Sequence, residues 1–288
     1  VSSALTSLSR QQQERLAQWL PGATVARDHS WGLVATTVLE VTHAGARFIV
    51  KAGGDDDHHI ERELHAHRHW LRPWTGVGRA PALAHGDAEA KLIVTQYLPG
   101  ELVLGGEHAD DPAIYRQAGE LLALLHTQLA IIDDEYEQRM NDRSLRWLDG
   151  PHRIEAAVVR RLRAEIATWP TPPAALVPTH GDWQPRNWLI HDGVVSVIDF
   201  GRAALRLPDT DFARLAVQDF RRDPALEQAF LAGYGADPRR ADPRQPDAWR
   251  RTLVREAIGT AAWAYQVGDE RFEAQGHRMI ADALAGGA

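Results

Sequence analysis

Residues 180–187 read His180-Gly181-Asp182-Trp183-Gln184-Pro185-Arg186-Asn187, and residues 198–201 read Ile198-Asp199-Phe200-Gly201. Asp182 and Asn187 are five apart, a spacing that does not share one helix face, and Pro185 between them disfavours a helix. A loop must therefore point both side chains into one small volume. Trp188-Leu189-Ile190 and Val194 to Ile198 flank His191-Asp192-Gly193, and an Asp-Gly pair between two apolar, β-rich runs predicts a hairpin. That hairpin carries Asp199 back beside Asn187. Two carboxylates and an amide oxygen converging in this way suit a hard, oxygen-seeking cation such as Mg²⁺.

The chain contains its own control. His85-Gly86-Asp87 repeats the tripeptide, but five residues past Asp87 stands Leu92, which offers a metal nothing. Leu83-Ala84 and Leu92-Ile93-Val94 read as strands around a turn, so this copy is expected to be a hairpin tip.

At 288 residues the chain can hold one large domain or two lobes with a real core. Its 44% hydrophobic and 25% charged content argues against disorder, and the absence of cysteine excludes disulfides, thiolate metal sites and a Cys nucleophile. Val1 to Leu8 lacks the basic end and apolar core of a signal peptide, and no apolar run approaches the roughly 20 residues that span a bilayer. A cytoplasmic protein with no membrane partner is expected. The 32 Lys and Arg against 39 Asp and Glu leave a net charge of −7. That balance argues against a nucleic-acid partner and is compatible with a cationic small substrate.

The order Asp-x4-Asn, hairpin, Ile-Asp-Phe-Gly resembles the catalytic core of the eukaryotic-type kinase fold. The His-Gly-Asp opening, with no central Arg, is similar to that of the aminoglycoside phosphotransferase family, and the resemblance covers nearly the whole chain. It implies an α+β, two-lobed, protein-kinase-like fold: a small β-rich lobe over 1–95, a hinge over 96–101, and a mostly helical lobe over 102–288. It implies that Asp182 positions or deprotonates an acceptor hydroxyl and that Asn187 and Asp199 hold Mg²⁺. Lys51 closes the strand Arg47-Phe48-Ile49-Val50-Lys51 and by the resemblance grips the donor phosphates. Its orienting carboxylate falls on Glu63, in the Arg-Glu pair of the next helix. Glu61 points about 200° away from it on a helix, so only one of the two can serve. In the hinge, the carbonyl of Gln96 and the N–H of Leu98 would meet the purine of ATP, with GTP left open. The resemblance is weakest at the phosphate-covering loop, where Ser30-Trp31-Gly32-Leu33 has one glycine instead of three. The chain contains no Gly-x4-Gly-Lys-Ser/Thr, which removes the P-loop alternative.

The coarse reading predicts helices over 7–20 and 55–71, strands over Trp31–Val41, Ala46–Lys51 and Lys91–Leu98, and a helix beginning at Asp111-Pro112. A further helix ends near Trp169. After Gly201 only Arg202 to Leu207 precede Pro208-Asp209-Thr210-Asp211, too short for the peptide-docking segment of a protein kinase. Asp211 is expected to cap the first of four helices that run to Ala285.

A small-molecule acceptor follows, and the family and the acidic balance favour a polycationic antibiotic such as an aminoglycoside. The densest acids in the helical part are Asp133-Asp134-Glu135 with Glu137; Glu256, Asp269, Glu270 and Glu273 on the C-terminal helices are the alternative lining. Relatives act on macrolides, peptide antibiotics, choline, homoserine or sugar amines. Two other classes compete: a nucleotide-binding pseudokinase, supported only by the sparse glycine loop, and a zinc protein built on His65 and His69, which lacks a closing ligand set. A monomer is expected.

Overall fold

The structure, a computed structural model, describes residues 4–32, 35–240 and 245–286. Leu33 and Val34, inside the strand expected over Trp31–Val41, lie outside the described residues, as do Val1 to Ser3.

Ser9 starts α1 (Arg10–Trp19): its hydroxyl accepts from the Gln12 amide while the Gln12 side chain accepts from the Ser9 amide. Two orphan donors of the first turn are thereby satisfied. Strands β1 (Thr24–Asp28), β2 (Thr37–His43) and β3 (Ala46–Ala52) follow, then α2 (His59–His69), whose amides at His59 and Ile60 donate to the Asp57 carboxylate. A short α3 (Arg72–Thr75) leads to the hairpin of β4 (Leu83–Asp87) and β5 (Leu92–Gln96). These five strands form one antiparallel sheet in the order β1-β2-β3-β5-β4. Alternation turns Leu39, Val41, Val50, Leu92 and Val94 towards Leu8, Leu16 and Leu20, while Ile93 on the other face meets Ile60 and Leu64 of α2. Strand β1 has no sequence signal, because four of its five residues are exposed on the sheet edge and no alternation results.

The chain continues through β6 (Glu101–Leu102), α4 (Pro112–His126), β7 (Ile131–Asp133), α5 (Tyr136–Asp149), α6 (Ala156–Ile166) and β8 (Ala174–Thr179). Then come β9 (Trp188–His191), β10 (Val194–Val197), β11 (Ala204–Arg206), α7 (Ala213–Val217), α8 (Asp219–Arg222), α9 (Pro224–Tyr234), α10 (Ala248–Val267) and α11 (Glu270–Leu284). Asp111 caps α4 as expected, accepting from the Ala113 amide. Asp211 does not cap α7; it is buried within a 3₁₀ turn over Pro208–Phe212. The small sheets β10-β9-β6 and β11-β8-β7 complete the topology.

The fold is α+β, with a β-sheet N-terminal region and a helical C-terminal part, as the resemblance implies. Two compact units interleave along the sequence: Val1–Gln128, Pro178–Ala204 and Asp223–Gly235 form one, and Leu129–Val177, Leu205–Arg222 and Ala236–Ala288 the other. In the first, α4 and α9 pack backbone to backbone. A Cβ on Gly119 would fall 2.2 Å from the Phe230 carbonyl oxygen, and one on Gly233 would fall 2.0 Å from that of Arg116. In the second, α10 and α11 bury Val254, Ala257, Ile258, Met279 and Ile280 against Leu162 and Ile166 of α6. Among the described residues, no helix is long and apolar enough to cross a membrane.

Candidate active site

The turn between β9 and β10 has left-handed backbone at both Asp192 (φ 48°) and Gly193 (φ 75°), as a tight hairpin requires. Its register pairs Trp188 with Val197, and the Ile198 amide then donates to the Asn187 carbonyl at 3.0 Å. Asn187 and Asp199 therefore leave the hairpin at the same end. Asp199 itself has φ 68°, a strained setting for a non-glycine residue. Beneath the loop lie Trp183, Trp188, Trp74 and Phe200, all within 1% of full burial. His180 ties the two strands of the motif together: its Nε2–H donates to the Ile198 carbonyl at 3.1 Å, and its Nδ1 accepts from the Asp182 amide at 3.2 Å.

Asp182 is 3% exposed and gathers donors. Gln184 Nε2 reaches Oδ1 at 2.6 Å; Arg186 Nη2 and Asn187 Nδ2 reach Oδ2 at 2.6 and 3.0 Å. Because Asn187 commits its amide nitrogen to Asp182, its amide oxygen is the atom left for a cation. Asp199 is about half exposed (49% of its side chain), with one carboxylate oxygen bound to Lys51. An all-oxygen set of the half-exposed Asp199 carboxylate and the Asn187 amide fits Mg²⁺, which keeps several waters and takes few protein ligands.

Lys51 and Glu63 meet as the resemblance implies. Lys51 Nζ donates to both Glu63 oxygens at 2.9 and 3.0 Å and to Asp199 Oδ1 at 3.1 Å. Burial alone would lower the Lys51 pKa, but the charges of Asp199 and Glu63 outweigh it and hold it well above its ordinary value. The Lys51 charge in turn depresses Asp199. Glu63 goes the other way: burial raises its carboxyl, with Lys51 opposing. Glu61, two residues earlier, is exposed. In the segment expected to be a hinge, the Gln96 amide donates to the Ala82 carbonyl and the Tyr97 amide to that of Arg47. The Leu98 amide has no backbone partner among the described residues, and Gln96 is exposed.

The acids expected to line an acceptor site all fall in the second unit and are not equivalent. Asp133 pairs with Arg139 at 2.6 Å and accepts from the Glu135 amide. Asp134 is exposed. Glu137 does not belong to an exposed rim: it is 3% exposed and bonded to Arg255 at 2.7 Å. The helical period of α5 turns it inward beside Tyr136, Asn141 and Ser144. Glu256 pairs with Arg214 at 3.1 Å, Asp269 caps α11 by accepting from the Phe272 amide, and Glu270 is exposed. His65 and His69 lie ring to ring at 4.5 Å, and no third ligand joins them among the described residues.

Three contacts have no counterpart in the sequence reading. Gln184 and Arg186 both bind the Asp182 carboxylate, and His59 at the start of α2 bonds the Gly201 carbonyl at 2.8 Å. For Arg186 the signal was present, since a cation four residues past an acid in a short loop can fold back onto it. For His59 there was none, because its partner is 142 residues away.

No curated protein matches the chain by sequence. Solved structures share its fold. A thermostable mutant of aminoglycoside phosphotransferase APH(4)-Ia, in ternary complex with AMP-PNP and hygromycin B, aligns at 13% identity over 97% of this chain and 99% of that one, with a TM-score of 0.70. Macrolide 2′-phosphotransferase type I aligns at 18% identity over 95% and 98%, with a TM-score of 0.62. Choline kinase LicA from Streptococcus pneumoniae aligns at 13% over 95% and 97%, with a TM-score of 0.64. The profile of the phosphotransferase enzyme family (APH) matches residues 25–244. With that match over most of its length, the chain belongs to the phosphotransferase enzyme family, enzymes that transfer a phosphoryl group from ATP to a hydroxyl group.

Proposed function

We propose that this chain is a Mg²⁺·ATP-dependent O-phosphotransferase of a small cationic antibiotic of the aminoglycoside class, and so a resistance enzyme of the cytoplasm. The observation that supports the chemistry is the bond set on Lys51: Glu63 and Asp199 already hold its ammonium, while Asp182 and Asn187 lie bonded to each other. A pseudokinase scaffold would have no use for this assembly.

Phosphoryl transfer asks mainly for positioning and charge neutralisation. Asp182, fixed by Gln184 and Asn187, orients the acceptor hydroxyl and takes its proton. Lys51 contacts the donor phosphates, held in place by Glu63. Asn187 through its amide oxygen and Asp199 through its carboxylate would hold Mg²⁺, which when bound offsets the charge of the phosphates. The Gln96 carbonyl and Leu98 amide receive the purine. The net charge of −7 and the exposed acids Asp134 and Glu270 favour a cationic acceptor.

The test is a coupled ADP-release assay against a panel of aminoglycosides, macrolides, peptide antibiotics, choline, homoserine and sugar amines, with mass spectrometry for one added phosphate. A neutral preferred acceptor would sink the cationic reading and leave the family assignment standing.

A further inference from the structure

We propose that Arg186 is a catalytic residue, a guanidinium that leaves Asp182 to grip the terminal phosphate of the donor and so uncovers the oxygen that receives the acceptor hydroxyl. This rests on reading the chain as an ATP-dependent phosphotransferase and adds a residue to that site.

The starting point is the crowding of Asp182 Oδ2. Arg186 Nη2 at 2.6 Å and Asn187 Nδ2 at 3.0 Å occupy the two lone-pair directions of that oxygen. Asn187 is 4% exposed and Gln184, on the other oxygen, is 7% exposed, so both are held by the packing around them. The Arg186 side chain is about one third exposed (34%), so it bonds Asp182 from the side that solvent reaches through it. An acceptor hydroxyl, which must also come from that side, therefore meets Oδ2 where Arg186 now sits. Of the Gln184, Arg186 and Asn187 donors, the guanidinium is the most exposed, and its backbone is the neighbour of the metal-facing Asn187.

Charge gives it somewhere to go. Lys51 is already shared between Glu63 and Asp199, so the Lys51, Glu63 and Asp199 set carries one net negative charge before any phosphate arrives. Arg186 is the further cation bonded to the motif. Its planar fork matches two phosphate oxygens, which a single carboxylate oxygen does not. Its guanidinium carbon lies 5.8 Å from the ring centroid of Trp31, in the loop between β1 and β2, at the outer limit of a cation–π contact. Trp31 thus covers the guanidinium from the loop that has only one glycine with which to cap phosphates through its backbone.

In the step itself, the acceptor oxygen forms a bond to the γ-phosphorus as the bond from that phosphorus to the β–γ bridging oxygen breaks. The electron pair of the broken bond stays on the β-phosphate of the departing ADP. The acceptor proton passes to Asp182 Oδ2 and from there to solvent. Arg186 takes no proton; it faces the equatorial oxygens where charge accumulates.

The experiment compares binding of Mg²⁺·AMP-PNP and Mg²⁺·ADP by calorimetry to the full chain and to its Arg186→Met and Arg186→Lys variants, without acceptor. Wild type should prefer AMP-PNP. Arg186→Met should lose about 10- to 100-fold in AMP-PNP affinity, the range for hydrogen bonds to a charged group, with ADP changed less than about threefold. Arg186→Lys should fall between them, keeping charge without the fork. Affinities unchanged for both nucleotides, or reduced equally for both, would overturn the proposal; the second pattern would mean that Arg186 only braces the loop. If the Met variant does not fold, the same ratio in the Lys variant decides. Wild type binding neither nucleotide would overturn the phosphotransferase reading as well, an outcome distinct from the other two.

Discussion

Replacing Lys51 with Met removes three hydrogen bonds and leaves Glu63, whose side chain is 5% exposed, without its cation. Removing one partner of a buried ion pair costs about 3–5 kcal/mol. Asp199 is half exposed, so water screens its share, and the lower end, about 3 kcal/mol, is expected. The loss should depend on pH. Burial already raises the Glu63 carboxyl and Lys51 opposes that shift, so without Lys51 the folded carboxyl rises further. A carboxyl whose folded pKa lies above its unfolded value makes the folded state the better proton binder. Its contribution is then lost as pH climbs above the unfolded value of 4.5 and through the folded one. The deficit of Lys51→Met should therefore be small near pH 5 and largest near pH 8. Urea unfolding of wild type, Lys51→Met and Lys51→Met/Glu63→Gln at both pH values measures it, and the added Glu63→Gln should recover most of the loss at pH 8. A deficit below about 1 kcal/mol at pH 8, equal at both pH values and indifferent to Glu63→Gln, would refute the claim that Lys51 holds a buried carboxylate.

Asp182→Asn should keep nucleotide binding and lose acceptor phosphorylation by about 10²- to 10⁴-fold, the range for a general base; near wild-type turnover would remove it from that role. Asp87→Asn should leave turnover unchanged and cost less than about 1 kcal/mol, because Asp87 ends β4 with a solvent-screened ion pair to the half-exposed Arg15 of α1 and a bond from the Ala90 amide of the following turn. Burial pushes the Asp209 carboxyl up to about 7, with the Thr252 hydroxyl its bonded partner. The folded state again binds the extra proton, so wild type should lose stability from about pH 4 to 7, and Asp209→Asn should be the more stable form at pH 8 by about 2 kcal/mol in thermal or urea unfolding. Glu137→Gln should lower stability by about 3 kcal/mol and leave the acceptor KM alone, because it strips Arg255 of a buried partner. Neutralising the exposed Asp134 and Glu270 together should instead raise that KM, more so at low salt.

Local order determined much of this protein. The five-residue step from Asp182 to Asn187, Pro185 between them, and the Asp192-Gly193 turn that returns Asp199 are properties of 18 consecutive residues, Asp182 to Asp199, and need no distant partner to be read. The same holds for the Asp111-Pro112 helix start and for the β4–β5 hairpin, except that His85-Gly86-Asp87 is not its tip: the tripeptide ends strand β4 and the turn follows it at residues 88–91. Distance in the chain marks where reading stopped. Strands β1 and β7 lie on sheet edges and β8 is the middle strand of its small sheet; pairing with a partner, not their own alternation, makes them strands, and β7 meets β8 across about forty residues. The acidic letters at 133–137 read as one group that could line an acceptor site, yet the turn of α5 sends Glu137 inward to an arginine 118 residues away while Asp134 stays in water. Sequence names the charge on a side chain, but the packing around it decides whether that charge meets water, a counter-ion or a substrate. His59 shows the difference most plainly: its letter is a polar residue at a helix start, and only the fold brings its ring to the carbonyl of Gly201, 142 residues away.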